Sequence, residues 1–241
     1  MRKIALPASF GLVLALAAVS DTPARRLSGN FWLGSASDGF GERSHGILEE
    51  TPSGWKFYPL PQSSIEAYNR LRPRAPGDAS SRPTTENYQR QEVIGPWQVE
   101  GDRVWLGNQY YDGEGDTGVG AFGYFDFPSR KYTLFSPPEV ARWEISALLV
   151  EPDAVWLGLD HFGEDISTFP GGFVRWDRAR QEARLYSAEF VITRIERDSQ
   201  DPARLRLTTR GGYAFFRNGN LQRFRDDGSS IERFPPPPTH Y

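Results

Sequence analysis

The stretch Asp153-Ala154-Val155-Trp156-Leu157-Gly158 is the clearest copy of a pattern that returns along the chain. Related copies are centred on Trp32 and Trp105, and a degenerate copy surrounds Arg206. The tryptophans are 73 and then 51 residues apart, and Arg206 lies 50 residues further on. A period near 50 residues, built from short β-prone runs, is typical of a repeated sheet unit.

Each repeat contains four short β-prone runs separated by turn residues, which predicts an antiparallel four-stranded meander. In the third copy the predicted strands are 145–151, 154–158, 172–176 and 183–186. The second copy gives 94–99, 103–107, 121–127 and 132–135, and the fourth gives 192–196, 205–208, 213–216 and 221–224.

The tryptophan strand is apolar on both faces. Val104 and Leu106 point to one side and Trp105 and Gly107 to the other, so the sheet must lie between two neighbours. Radial packing of such sheets predicts an all-β fold, a small β-propeller of four or five antiparallel blades with its tryptophans in the core.

The first copy is less complete than the others. It offers predicted strands at 30–35, 46–49 and 55–58, while 24–28 reads as a poor strand. Because propellers often close by borrowing a strand from the opposite terminus, we expect residues 231–234 to supply the missing strand.

The ends of the chain differ in composition from its middle. Residues 1–20 have the charged, apolar and small-residue regions of a secretory signal peptide, so we expect a periplasmic or secreted protein without a stable membrane span after cleavage. The propeller is assigned to 21–234. It is interrupted at 62–90 by an insertion that is either a long loop or contains a short helix at 64–71, and a proline-rich tail follows at 235–241.

Net charge and cysteine content exclude some classes of function. The formal charge of −3 argues against a general nucleic-acid binder. The absence of cysteine excludes disulfides, a thiol nucleophile and any thiolate metal site, so packing must supply the stability of an exported chain.

The hydrophobic-Trp-Leu-Gly motif, preceded by an acidic turn and followed by a glycine-containing strand, resembles the two-component regulator propeller repeat. Segments 102–107 with 120–126, and 153–158 with 171–177, carry the resemblance. Streptogramin-lyase-like propellers share a similar tryptophan signature. The resemblance implies a propeller fold, but the membrane helix and signalling output usual in that family have no counterpart in this sequence, which favours a standalone exported propeller.

Three long segments after the tryptophan strands, 37–45, 109–117 and 160–167, are the best candidates for a functional site. In a propeller such loops gather on one face, where binding sites commonly lie. The ligand-binding candidates are Asp38, His45, Tyr110, Tyr111, Asp160, His161 and Phe162. The alternating carboxylates resemble part of a Ca²⁺ loop, so a divalent cation is a candidate cofactor. The metal-ligand candidates are Asp112, Glu114, Asp116, Glu164 and Asp165.

Two classes of function remain open at the level of sequence. One is a non-catalytic exported propeller whose loop face binds a small molecule, a glycan or a protein. The other is a metal-assisted hydrolase or lyase that uses His45, His161 and nearby carboxylates. We found no nucleophile elbow or His-Glu-x-x-His pattern.

Overall fold

A computed structural model describes residues 25–37, 43–71, 92–110, 118–160, 171–187, 190–209 and 211–231. Within these ranges the chain forms four antiparallel sheets and one short helix. Sheet 1 contains β1 Arg25–Ser28, β2 Phe31–Ser37, β3 Arg43–Thr51 and β4 Gly54–Pro59, and is followed by helix α1 Ile65–Leu71. Sheet 2 contains β5 Val93–Glu100, β6 Arg103–Gln109, β7 Phe122–Asp126 and β8 Lys131–Phe135.

The second half of the chain repeats this arrangement. Sheet 3 contains β9 Glu144–Val150, β10 Ala154–Asp160, β11 Gly171–Asp177 and β12 Glu182–Ser187. Sheet 4 contains β13 Ile192–Arg197, β14 Leu205–Thr209, β15 Gly212–Arg217, β16 Asn220–Arg225 and β17 Ser230–Ile231. The all-β class, the meander topology and the strand order within each repeat are therefore confirmed.

The repeats share one register. Trp105 is the cross-strand partner of Tyr124, Trp156 of Arg175, and Arg206 of Phe215. Arg206 thus takes the place of a tryptophan in sheet 4, as the degenerate sequence copy predicts.

The predicted sandwiching of the tryptophan strand is observed in sheets 2 and 3. Val155 and Leu157 are fully buried in a cluster shared with sheet 2, whereas Trp156 packs with Phe173 and with Phe216 of sheet 4. Trp105 in turn lies in the core between sheets 2 and 3. Because side chains alternate along a strand, one short motif fills two interfaces.

The four sheets follow one another as an array. Strand β9 contacts β5 and β6 of sheet 2 and also β13 of sheet 4, so the first strands of successive sheets lie side by side. Sheet 1 joins the array through β3, which contacts β5. Among the described residues, no strand of sheet 1 makes an extensive contact with a strand of sheet 4, so closure of a ring is not observed.

Sheet 1 departs from the sequence-based expectation. The segment that looked like a poor strand forms β1 and pairs with β2, so sheet 1 has four strands of its own. Ile231 instead pairs with Arg223 at the edge of sheet 4. This contradicts the predicted exchange of strand 231–234 at the one residue of that strand which the structure describes.

Trp32 is a second departure. Phe31 and Leu33 pack toward sheet 2, so Trp32 faces away from it, in contact with Trp55 and Arg26 of its own sheet. The expectation that all three motif tryptophans lie in equivalent core positions is therefore wrong for Trp32, because the orientation of a strand is set by its neighbours and not by the motif.

Three glutamates tie the sheets together. Glu100 accepts the indole N–H of Trp105 at 2.9 Å and binds both terminal nitrogens of Arg178, from sheet 3, at 2.7 and 2.9 Å. At the junction between sheets 3 and 4, Glu151 accepts a hydrogen bond from the indole N–H of Trp156 at 2.8 Å and forms an ion pair with Arg197 of sheet 4.

The junction between sheets 1 and 2 uses a related set of groups. Glu49 accepts the hydroxyl of Tyr58 at 2.6 Å and binds Arg130 Nη2 of sheet 2 at 2.8 Å. Because each of Glu49, Glu100 and Glu151 binds an arginine of the next sheet, we call these three residues the junction glutamates.

Candidate functional site

Sheets 1, 2 and 3 have their longest internal connections at a common end, whereas the longest connection of sheet 4, residues 198–204, lies at the opposite end. In each sheet the second strand ends, and the first and third strands begin, at what we call the loop end. In sheets 2 and 3, the end of the second strand lies against the start of the first strand of the next sheet, so the loop ends of sheets 2, 3 and 4 lie on the same side. A Cβ added to Gly107 would meet Ile145 at the start of β9, and one added to Gly158 would meet Ile192 at the start of β13. The three sequence segments with candidate functional residues therefore start from the same side of the array.

Most of the predicted site residues cannot be placed. Nine of the candidates lie outside the described residues: Asp38, Tyr111, Asp112, Glu114, Asp116, His161, Phe162, Glu164 and Asp165. The three candidates with a described position are His45, Tyr110 and Asp160. The proposed cation loop and most of the proposed ligand contacts thus remain predictions.

Tyr110 and Asp160 are brought together through a residue that the sequence analysis missed. Tyr110 directly follows β6, is 2% exposed, and donates its backbone N–H to Glu144 Oε1 at 2.9 Å. Glu144 begins β9 and is the cross-strand partner of Asp160, the last residue of β10. Both carboxylates are buried, so two acidic side chains lie side by side at the loop end of sheet 3.

His45 belongs to a different part of the array. It lies on β3 opposite Ser35, is partly buried, and its carbonyl oxygen accepts a hydrogen bond from the Leu60 amide at 2.8 Å. His45 therefore lies on sheet 1, whereas Tyr110 follows a strand of sheet 2 and Asp160 ends a strand of sheet 3.

Glu92, buried just before β5, is a second missed residue. Its carboxylate accepts the backbone N–H of Val119 and the backbone N–H of Ser63, each at 2.9 Å, and it also binds the Ser63 hydroxyl. Gln62 completes the link by donating its side-chain N–H to the Glu92 carbonyl at 2.9 Å. Glu92 therefore fastens the segment before α1 to the chain that returns from the loop of sheet 2.

Asn108 holds the same returning chain from the other side. Its side-chain N–H donates to the Val119 carbonyl at 2.8 Å, and its side-chain oxygen accepts the Ala121 N–H at 2.7 Å. An asparagine that interrupts an otherwise apolar strand was the only sequence signal for this role, and such a signal is weak.

A cavity of about 400 Å³ opens at the loop end of sheet 2. Ala67, Arg70 and Leu71 of α1 form one wall, Leu134 and Phe135 of β8 form another, and Glu92 lies at its base. Its volume is within the range of small-ligand sites. The helix that the sequence left as one of two alternatives thus lines the cavity.

The five carboxylates predicted as metal ligands all lie outside the described residues. Within those ranges there is no group of three or more His, Asp or Glu side chains placed to hold a metal ion. In the same part of the chain, no helix combines the length and apolarity needed to cross a bilayer.

Comparison with known proteins adds little to this description. No model of a known protein family matches the chain. No curated protein matches it. Among solved structures, the chain is similar to two crystal structures of the extracellular domain of one B. thetaiotaomicron protein, described once as a one-component and once as a hybrid two-component system.

The similarity to these two structures is distant. The sequence identities are 12% and 14%, and the TM-scores are 0.34 and 0.32. The matches cover 86% and 90% of this chain but only 28% and 34% of the solved chains, so the protein spans about a third of their length.

Proposed function

We propose that this protein is an exported, non-catalytic binding module of propeller type, in which the four sheets are successive blades and the loop end takes a small polar molecule or a glycan. The tryptophan repeat supports membership of the two-component regulator propeller repeat family. The signal-like residues 1–20 support a periplasmic or secreted location.

The cavity beside α1, with the buried carboxylate Glu92 in its lining, is the observation that carries the proposal. Burying a polar side chain costs free energy unless it is hydrogen-bonded, so such residues are placed where a backbone must be held in a defined position. Glu92, Asn108, Glu144 and Asp160 are all buried at the loop end. Glu92 and Asn108 hold Val119 and Ala121, which line the cavity, in a defined position. A rigid scaffold presents a binding surface in this way.

The experiment is a thermal-shift screen of the full chain against neutral mono- and disaccharides, free amino acids and Ca²⁺. A compound present at a hundred times its Kd adds about 2.7 kcal/mol to the unfolding free energy, a change that raises Tm measurably. Compounds that raise Tm are then tested against Ala67→Trp, which fills the cavity, and against Ala179→Trp, placed on an exposed turn as the matched control.

We expect Ala67→Trp to abolish the shift of the bound sugar or amino acid and Ala179→Trp to preserve it. A screen without any stabilising compound, or a shift that survives Ala67→Trp, would contradict binding in this cavity. The Ca²⁺ arm is separate: a stabilisation lost in Asp112→Asn with Asp116→Asn supports the predicted cation loop, whereas an unchanged Tm with Ca²⁺ and chelator contradicts it.

A further inference from the structure

A second cavity lies between sheets 3 and 4, at the end of the array opposite the loop end. Its volume is about 370 Å³, and its floor is formed by the rings of Trp156, Tyr186 and Phe216, which contact one another across the two sheets. Four arginines form its walls: Arg175 and Arg184 from sheet 3, and Arg197 and Arg217 from sheet 4. We call this cavity the arginine cleft.

The same place in the preceding junction is filled, which shows that the cleft is a local feature and not a consequence of the repeat. Between sheets 2 and 3, Arg178 lies over the ring of Trp105 at 5.0 Å from its centroid, and the Tyr124 ring packs against that indole at 4.9 Å. When sheets 3 and 4 are aligned by their strand register, Phe216 of sheet 4 is equivalent to Trp176 of sheet 3. Asn218 is therefore the sheet 4 equivalent of Arg178. A short asparagine cannot cover the indole, and Arg175 replaces the ring of Tyr124.

The walls of the cleft present hydrogen-bond donors without carboxylates among them. Arg175 binds Asp153 at 2.8 Å and Asp177 at 3.1 Å, and Arg217 binds Asp201 at 3.1 Å. None of these aspartates lines the cleft, so they hold the guanidinium groups from outside it.

Arg197 and Arg184 complete the wall. Arg197 is held by junction glutamate Glu151, which likewise does not line the cleft. Arg184 stacks on Tyr186 at 4.9 Å and forms no ion pair within the described ranges. A guanidinium carries five N–H donors, so a paired arginine keeps donors for a second acceptor.

We propose that the arginine cleft binds the oxyanion groups of a small, multiply charged ligand, with Arg184 as its principal cation. Planar guanidinium groups match phosphate and carboxylate oxygens in paired hydrogen bonds, and such charge-assisted bonds are among the strongest in proteins. The site is distinct from the loop end and does not depend on the function proposed for it.

The test is isothermal titration calorimetry of the full chain with inorganic phosphate, pyrophosphate and citrate at low ionic strength. We expect at least one of the three anions to bind. Stronger binding of phosphate or pyrophosphate would identify the ligand as a phosphate compound, and stronger binding of citrate would identify it as a carboxylate. Arg184→Gln should weaken that binding by about 10- to 150-fold, because a hydrogen bond to a charged group contributes about 1.5–3 kcal/mol and each 1.4 kcal/mol is a factor of about ten in affinity. Arg180→Gln, on an exposed turn outside the cleft, is the matched control and should bind as the unaltered protein does.

Thermal unfolding of each variant verifies that it is folded. Failure of all three anions to bind the unaltered protein would overturn the proposal. Equal weakening by Arg184→Gln and Arg180→Gln would also overturn it, since that result would show attraction to net charge and no defined site.

Discussion

Glu49, Glu100 and Glu151 each combine one aromatic hydrogen bond from their own sheet with one arginine from the next. The guanidinium of Arg178 beside Glu100 holds the pKa of that carboxyl below its ordinary value, and Arg130 has the same effect on the pKa of Glu49. Glu100 and Glu151 each stand five residues before a motif tryptophan, whereas Glu49 lies on the third strand of its sheet. The arginines that bind the three glutamates come from other sheets and could not be named without the fold.

The lowered pKa of Glu100 gives a pH-dependent contribution to stability. Folding favours the ionised carboxylate, so its contribution is complete above the ordinary glutamate pKa of about 4.3 and is lost as the pH falls through the lower folded pKa. At pH 7, Glu100→Gln should lower the unfolding free energy by about 1 kcal/mol and Tm by about 2–4 °C. The effect is smaller than that of a fully buried ion pair, because Glu100 is partly exposed to solvent.

Circular dichroism melts at pH 7 and at pH 3.5 check this prediction. The difference in Tm between the unaltered protein and Glu100→Gln should shrink at pH 3.5, because this pH lies below the ordinary glutamate pKa and ionising the carboxylate on folding then costs free energy. Glu182→Gln, at an exposed position without a described ion pair, should match the unaltered protein at pH 7. A difference that is the same at both pH values would show that the ion pair with Arg178 contributes nothing.

At the scale of the elements, the motif glycine lets each tryptophan strand approach its neighbour. A Cβ on Gly158 would lie 2.8 Å from the Ile192 carbonyl oxygen, and one on Gly107 would lie 2.5 Å from Ile145 Cβ. On Gly34 the nearest atom is Leu48 Cδ1, the far end of a flexible side chain. The sequence shows three equivalent glycines, but the sheets that pack on them make them unequal.

Substitution of these glycines should therefore have graded effects. Gly107→Ala and Gly158→Ala should each lower the unfolding free energy by about 1–3 kcal/mol, because a backbone or a β-branched residue must move. Gly34→Ala, the matched change in sheet 1, should cost less, since Leu48 can change rotamer. Urea denaturation of the three variants measures the order, and a Gly34→Ala as destabilising as Gly158→Ala would contradict it.

For the whole molecule, the cores are shared between sheets and not contained in them. One cluster joins sheets 2 and 3, and another joins sheets 3 and 4, so these three sheets should unfold together. A third cluster, which includes Phe31 and Ile47, joins sheet 1 to sheet 2. Among the described strands of sheet 1, however, only β3 makes an extensive contact with a strand of sheet 2, so this attachment is narrower. In a repeat array, stability is approximately the sum of units and their interfaces, so the unit with the smaller interface opens first.

Hydrogen exchange followed by mass spectrometry tests this order. Amides of β2 and β3 should exchange at least about tenfold faster than those of β10 and β11. Arg130→Ala should widen the difference by weakening the attachment of sheet 1, and Arg180→Ala should not. Equal protection of sheets 1 and 3 in the unaltered protein would show that the array opens only as one unit.

The sequence by itself determined the all-β class, the four-stranded meanders and the two-sided burial of the tryptophan strands, because strand alternation and turn chemistry are local properties. Only the tertiary structure decided that Trp32 faces away from sheet 2, that Ile231 pairs with sheet 4, that α1 and Glu92 border one cavity, and that arginines from two sheets line another. These outcomes depend on which surfaces meet across long sequence separations, and packing between sheets selects them after the local pattern has allowed more than one arrangement.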